Sequence, residues 1–352
     1  MLDLRLEKNL KSQIYSGSIK EAIGYVKEKY KSFAIIVDLN VYRIYNSFFT
    51  DNYPIVVRTA EKYKTMDTVE KVYNELLARQ VDRNSFILCI GGGILTDLGG
   101  FVASTYMRGL KFGYVSTTLL SIADAGIGGK NGINFNGLKN IIGTFNQPEF
   151  IFLDIHSIKT LKRKDYIAGF SEIIKHSLIS SKDIFNYLAI DSEGPFSESD
   201  EFIEKLISFS VKTKAEIVCR DEFESGERKL LNFGHTIGHA LEKIDTNLIH
   251  GEAISIGMAF ASYLSYRMEN IGSQDFLSII RLLRKFFLPV KYKHSIDLEI
   301  LTDVLKSDKK INSGVIDFTV LREIGSAKIS KFEIPKIIEI YANFNEVING
   351  LH

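Results

Sequence analysis

The sequence predicts an α/β fold: an N-terminal Rossmann-like domain with a parallel sheet, followed by a mostly α-helical C-terminal domain. Three observations carry this. Short apolar strands alternate with helical repeats through the first half. A glycine triplet joins one such strand to the next helix. Strand signals nearly vanish beyond residue 156.

In chain order, Phe33–Asp38 is an apolar run ending in a polar turn, the pattern of a buried strand, and Pro54-Ile55-Val56-Val57 is a second. Residues 68–80 set Val69, Val72, Tyr73, Leu76 and Leu77 on one side of a helix. Residues 85–90 form a third strand that runs into Gly91-Gly92-Gly93, and 95–106 read as the helix that follows. Strands at 112–116 and Phe150–Leu153 complete a parallel, doubly wound sheet. In the second half, residues 167–179, 201–218, 236–243, 253–268 and 274–287 carry helical apolar spacing; 315–321 is the remaining strand signal. The expected domains are 1–155 and 156–352. No Pro/Gly-rich linker divides them, so they are expected to pack together with a site in the cleft.

A length of 352 residues suits two domains, and 45% hydrophobic with 25% charged residues is the composition of a soluble globular protein. The net charge of +1 gives no general attraction to nucleic acid or membrane, so any basic cluster is local and serves a small anion. Two cysteines, Cys89 and Cys219, argue against a disulfide scaffold and for a reducing compartment. No signal-peptide pattern and no membrane-length apolar run is visible, which makes the cytoplasm the expected location. No internal repeat or low-complexity segment is present.

Three histidines and a carboxylate crowd into Asn232-Phe233-Gly234-His235-Thr236-Ile237-Gly238-His239 and His250-Gly251-Glu252. His235 and His239 are four apart and share one helical face, so spacing alone suggests a divalent-metal site; the competing reading is one packed histidine among solvated ones. The strand–Gly91-Gly92-Gly93–helix passage fits a nucleotide phosphate at a helix N-terminus, although Thr96 replaces the third glycine of G-x-G-x-x-G and a plain tight turn competes. Asp97, read as lying on the first turn of that helix, would meet a ribose or the helix dipole. Asp124-Ala125-Gly126-Ile127-Gly128-Gly129-Lys130-Asn131-Gly132 with Lys139-Asn140 suggests an anion cradle rather than a P-loop, against a flexible basic loop. Glu172 and Lys175 stand one helical turn apart, which ordinarily means a surface ion pair, although the same geometry could offer a carboxylate to a metal and an ammonium to a neighbouring anion. Lys214 and Arg228, read alone, look like solvated charge.

Taken together and in this order, these motifs resemble the 3-dehydroquinate synthases of the sugar-phosphate cyclase group. The similarity runs from about residue 38 to 310, densest in 91–98, 105–109, 117–143, 168–175, 212–242 and 250–258. The resemblance implies a carbon–oxygen lyase of the shikimate pathway, hence of aromatic amino acid biosynthesis. It would convert 3-deoxy-D-arabino-heptulosonate 7-phosphate to 3-dehydroquinate and phosphate through transient oxidation by NAD, phosphate elimination, reduction and intramolecular aldol closure. It implies tightly bound NAD, one zinc (or cobalt) ion, a small sugar-phosphate substrate and a homodimer, with no nucleic acid or membrane partner.

The implied metal ligands are Glu172, His235 and His250, which moves His239 from ligand to proton transfer. The implied catalytic residues are His239, Lys130, Lys175, Asn232, Arg228 and Asp124, with further substrate contacts from Arg108, Lys139, Asn140, Lys214 and Lys309. For NAD the matching positions are Asp38, Asn40, Glu61, Lys64, Gly92, Gly93, Asp97, Thr117, Thr118 and Thr160, with Lys130 and Lys139 beside them.

Some positions depart from the family pattern. Ser116 stands where proline is usual, Ala125-Gly126 replace a Ser-Ser type pair, and Asn131 stands where threonine is common. The last two changes, expected beside the substrate, would fit another cyclase using sedoheptulose 7-phosphate or glucose 6-phosphate; Asn232 and His239 favour the dehydroquinate reading. A metal- and NAD-dependent alcohol dehydrogenase gives no reason for Lys130, Lys139, Asn140, Lys214 and Arg228 together. A non-catalytic NAD-binding protein fits least, because every matched metal and substrate position is filled.

Overall fold

The computed structural model describes residues 3–4, 12–196, 199–306, 311–312 and 314–351. The chain divides into two compact units, Met1–Tyr166 with Lys214–Phe223, and Ile167–Thr213 with Glu224–His352. The elements in chain order are β1 (Asp3–Leu4), β2 (Gln13–Ser16), α1 (Ile19–Lys29), β3 (Phe33–Asp38), α2 (Leu39–Tyr45), β4 (Ile55–Val57), α3 (Met66–Ala78), β5 (Phe86–Gly91), α4 (Gly93–Thr105), β6 (Lys111–Ser116), β7 (Lys130–Phe135), β8 (Leu138–Phe145) and β9 (Phe150–Leu153). There follow α5 (Arg163–Ser180), α6 (Lys182–Asn186), α7 (Asp200–Arg220), α8 (His235–Ile244), α9 (His250–Arg267), α10 (Ser273–Lys285), α11 (Leu298–Lys306), β10 (Ile311–Asn312), β11 (Val315–Glu323), β12 (Ser326–Glu333) and α12 (Ile334–Gly350).

The first unit is built on a sheet ordered β1-β2-β9-β6-β5-β3-β4, parallel throughout except for the β1–β2 pair. β5 and β9 are buried along their whole length, as central parallel strands covered on both faces must be. Ile35, Val37, Leu88, Ile90, Val115 and Phe150 form the core with Ile19, Ala22, Ile23 and Val26 of α1. From β3 the chain crosses to β4; from β5 it crosses to β6, on the other side. The carboxyl ends of β3 and β5 therefore flank a topological switch point, where open α/β sheets bind ligands.

The β7–β8 antiparallel hairpin is the main departure from expectation in this unit, because 124–132 with Lys139-Asn140 reads as a glycine-rich cradle or basic loop with no strand in it. Helix α4 starts at Gly93, which places Asp97 on its second turn, not its first.

The second unit is mostly helical and carries a small antiparallel sheet, β10-β11-β12. The sequence shows only β11, whose interior residues Phe318–Leu321 are buried. β12 is polar or half-exposed along its length, with lysines at 328 and 331, so its apolar pattern is weak. Among the described residues no helix is long and apolar enough to cross a membrane.

Candidate functional site

In the second unit, α8 and α9 approach so closely that glycine is required at the contact. Gly234 holds a left-handed backbone (φ 82°) immediately before His235, and a Cβ there would meet the Met258 nitrogen at 2.8 Å. At the start of α9, a Cβ on Gly251 would collide with the Ala168 backbone of α5. These two contacts bring His235 and His250 to Glu172. The Glu172 Oε1 lies 3.4 Å from His250 Nε2 and 3.8 Å from His235 Nε2.

One donor atom from each of the three residues falls within 4.8 Å of the others. Ligands around a tetrahedral zinc stand about 3–3.5 Å apart, so this donor set fits one ion after small side-chain adjustments. His239 lies beside it, its ring 5.1 Å from that of His235, but its side chain is 44% exposed whereas Glu172 is fully buried.

Burial, reinforced by the Lys175 ammonium, drives the His235 imidazole well below its usual pKa and keeps it neutral, as a metal ligand must be. Burial also opposes charge on His250. There Glu172 and Glu242 together outweigh it and push the imidazole up to about 10. Glu242 Oε2 is 3.6 Å from His250 Nδ1 and 3.9 Å from His239 Nε2. Sequence reasoning looked to Glu252 as the carboxylate of this cluster. Glu252 instead accepts from the Ile249 N–H at the head of α9, and buried Glu242 takes that place.

Glu172 and Lys175 do form an ion pair, but not at the surface: both side chains are essentially inaccessible. Arg228 is 2% exposed, so it too is not solvated charge. Asn232 donates to Glu224 Oε1 at 2.6 Å, a carboxylate that no motif had singled out. Lys309 lies outside the described residues.

In the first unit, the switch point holds Asp38 and the Gly91-Gly92-Gly93 turn. Asp38 caps α2 by accepting from the Asn40 and Val41 amides at 2.6 and 3.0 Å, and burial raises its pKa against those bonds. A Cβ at Gly92 would meet Thr118 at 2.8 Å, so the backbone here is left bare for close approach. The Thr117 N–H donates to Gly91 O, and Ser157, which accepts a Thr160 hydroxyl on its carbonyl, donates to Thr117 O.

Beside this turn, Lys64 donates to Asp97 Oδ2 and Asn140 Oδ1, both at 2.5 Å, and Asn134 donates to Glu61 Oε1 at 2.7 Å. Burial raises the Asp97 carboxyl while Lys64 pulls it back. Lys214, far from being solvated, is buried and donates to Asp124 at both its carboxylate (2.8 Å) and its carbonyl. Arg108 is exposed on a left-handed backbone, φ 69°, Lys130 is exposed at the head of β7, and Lys139 is half-buried on β8.

The departures at 116, 126 and 131 have packing causes. A Cβ at Gly126 would stand 2.5 Å from the Ser116 hydroxyl, so a serine at 116 leaves no room for a side chain at 126. Asn131 is buried, accepts from the Tyr114 hydroxyl at 2.6 Å and donates to Asn146 O at 2.9 Å. Ala125 packs its methyl against the glycine turn at Gly93.

A doubly wound sheet with a bare glycine turn at its switch point, coupled in one chain to a helical unit bearing a Glu-His-His cluster, defines a class of nucleotide-fold proteins with a metal-type carboxylate–histidine centre. Residues 54–168 match the 3-dehydroquinate synthase N-terminal family and residues 169–311 the C-terminal family. The chain belongs to the 3-dehydroquinate synthase family.

It is 40% identical over 272 residues to the 3-dehydroquinate synthase of Dehalococcoides mccartyi, covering 77% of this chain and 76% of that one. It is 34% identical over 336 residues to that of Prochlorococcus marinus, covering 92% of each. Among solved structures, the 2-epi-5-epi-valiolone synthase of Streptomyces hygroscopicus, with NAD+ and Zn2+ bound, shares the fold at a TM-score of 0.86 and 24% identity over 97% of this chain and 99% of that one. A 2-deoxy-scyllo-inosose synthase complexed with carbaglucose-6-phosphate, NAD+ and Co2+ does so at 0.83 and 23%, over 94% and 96%.

Proposed function

We propose that this chain converts 3-deoxy-D-arabino-heptulosonate 7-phosphate to 3-dehydroquinate and phosphate. The observation that carries the reading is the convergence of Glu172, His235 and His250 on one point, with Lys175 on the same helix turn. In this reading Glu172, His235 and His250 hold a zinc or cobalt ion. Asp38, Asn40, Glu61, Lys64, Gly92, Gly93, Asp97, Thr117, Thr118 and Thr160 hold NAD, with Lys130 and Lys139 alongside. When bound, the ion supplies Lewis acidity at a substrate hydroxyl and NAD supplies a reversible hydride acceptor.

The remaining work falls to the chain's own side chains. The substrate carries a dianionic phosphate and a carboxylate, and Arg108, Lys130, Lys139, Lys175, Lys214 and Arg228 neutralise them in a protein of net charge +1. Asp124 holds the Lys214 ammonium in place before any ligand arrives, so less side-chain freedom is lost on binding. Asn140 and Asn232 orient substrate hydroxyls, and His239, the most accessible histidine of the three, moves a proton at its Nε2. Lys309 completes the anion contacts.

The first unit is thus the nucleotide-binding part and the second the metal-binding part. Two free cysteines suit a cytoplasmic enzyme, and the family resemblance favours a homodimer, which sedimentation would test. The deciding experiment is incubation with the heptulosonate phosphate, NAD and zinc, with phosphate release and product mass as readouts. Dehydroquinate formation without NADH accumulation is expected; phosphate release from sedoheptulose 7-phosphate alone would overturn the reading.

A further inference from the structure

The β7–β8 hairpin is not a regular ladder. Its register runs Lys130↔Phe145 to Ile133↔Ile142, then shifts to Phe135↔Leu138, so Asn134 stands at a bulge. Freed from pairing with β8, the Asn134 N–H donates instead to Lys64 O at 2.8 Å. Its side chain is used at both ends. Nδ2 donates to Glu61 Oε1 at 2.7 Å, and Oδ1 accepts from the Asn140 N–H at 2.9 Å.

The amide orientation follows from its partners, since a carboxylate only accepts and a backbone N–H only donates. Asn140 in turn has a left-handed backbone, φ 51°, and its own Oδ1 is held by the Lys64 ammonium at 2.5 Å. A non-glycine residue in that region is retained where its surroundings fix it, and here backbone and side chain are pinned by separate bonds.

We propose that Asn134 is a positioning residue for substrate binding: from its bulge it ties the Glu61–Lys64 turn to the backbone of Asn140 and so sets where the Asn140 side chain is presented. The inference rests on the reading of Asn140 as a substrate contact. It also gives Glu61 and Lys64 a second duty. Both were matched to the nucleotide, and both hold the asparagines of the hairpin.

The test uses the full chain with NAD and zinc, and compares Asn134→Ala, Asn140→Ala and the double variant. A positioning role predicts that Asn134→Ala raises KM for the heptulosonate phosphate roughly tenfold while kcat stays within about threefold, the signature of lost uniform binding. It further predicts that Asn134→Ala adds nothing once Asn140 is already alanine, because its effect travels through that residue. Should Asn134→Ala fail to fold by circular dichroism, Asn134→Ser, too short to span Glu61 and Asn140, serves in its place.

An unchanged KM in the Asn134 variant, or an effect that persists in full on the Asn140→Ala background, overturns the positioning role alone. An unchanged KM in Asn140→Ala removes the substrate contact itself and the proposal with it.

Discussion

Glu242 and His250 face each other across 3.6 Å, Oε2 to Nδ1, while the other ring nitrogen of His250 faces Glu172 at 3.4 Å. Glu242 therefore engages the nitrogen that would not bind metal. A carboxylate in that position fixes the tautomer and the ring orientation of a ligating histidine. Glu242→Gln is expected to weaken zinc binding by about 10- to 100-fold with stoichiometry unchanged. Competition with a chromophoric chelator measures this. Affinity equal to that of the parent protein would mean that Glu242 serves only the packing of α8.

The division of labour among the histidines is testable in the same assay. His235 is buried and close to Glu172, whereas His239 is the most exposed of the three, with Nε2 3.9 Å from Glu242. His235→Ala is expected to abolish stoichiometric metal binding. His239→Ala should keep the metal and lower kcat by roughly 10²- to 10⁴-fold, the usual contribution of a positioned proton-transfer group. Equal metal loss in both variants would return His239 to the ligand set, which the donor group His239, Glu242 and His250 makes sterically feasible.

How far sequence reaches can be judged from these same residues. The strand–glycine–helix passage at Gly91–Gly93 was legible because apolar period, glycine and sheet order are all local signals. The clustering of His235, His239 and His250 was legible for the same reason. Glu172 was legible only in part: its spacing from Lys175 allows a carboxylate for a metal, but it comes from a distant helix, and only the family resemblance pairs it with His235. The burial of Lys214 and Arg228 left no trace, because a charged residue reads as solvated until its partner is known. The β7–β8 hairpin was lost to its glycines and lysines, which mimic a loop although the backbone pairs regularly up to the bulge. The contrast between exposed Lys130 and buried Asn131 was not legible either, because adjacency in sequence says nothing about side-chain direction, which alternates along a strand.

The joint departure at 116 and 126 has an energetic consequence. Gly126→Ala places a methyl 2.5 Å from the Ser116 hydroxyl and 2.9 Å from the Ser121 carbonyl, a case of overpacking expected to cost about 1–3 kcal/mol. Ser116→Ala removes the first clash but leaves the second, so the double variant should recover part of the loss. Urea unfolding of the four proteins gives the coupling energy directly. Strict additivity would show that the two positions do not sense each other.

The last expectation concerns alkaline stability. Tyr341 on α12 is completely buried against Phe260 and Phe344, and that burial pushes its phenol up to about 12, with Asn345 offsetting only part of the rise. The unfolded chain releases this proton near the ordinary tyrosine value of 10.0. Between the two values the folded state binds more protons than the unfolded one, so stability falls as pH rises through this window. At pH 11 the difference amounts to roughly 1.4 kcal/mol that is absent below pH 9. Tyr341→Phe deletes the titration while keeping the ring, so the variant should gain about that much on the parent protein between pH 8 and pH 11, as read from urea midpoints at each pH. Other buried tyrosines act equally in both proteins and cancel. Parallel stability–pH curves for the two proteins would mean that the Tyr341 phenol ionises alike in the folded and unfolded chain.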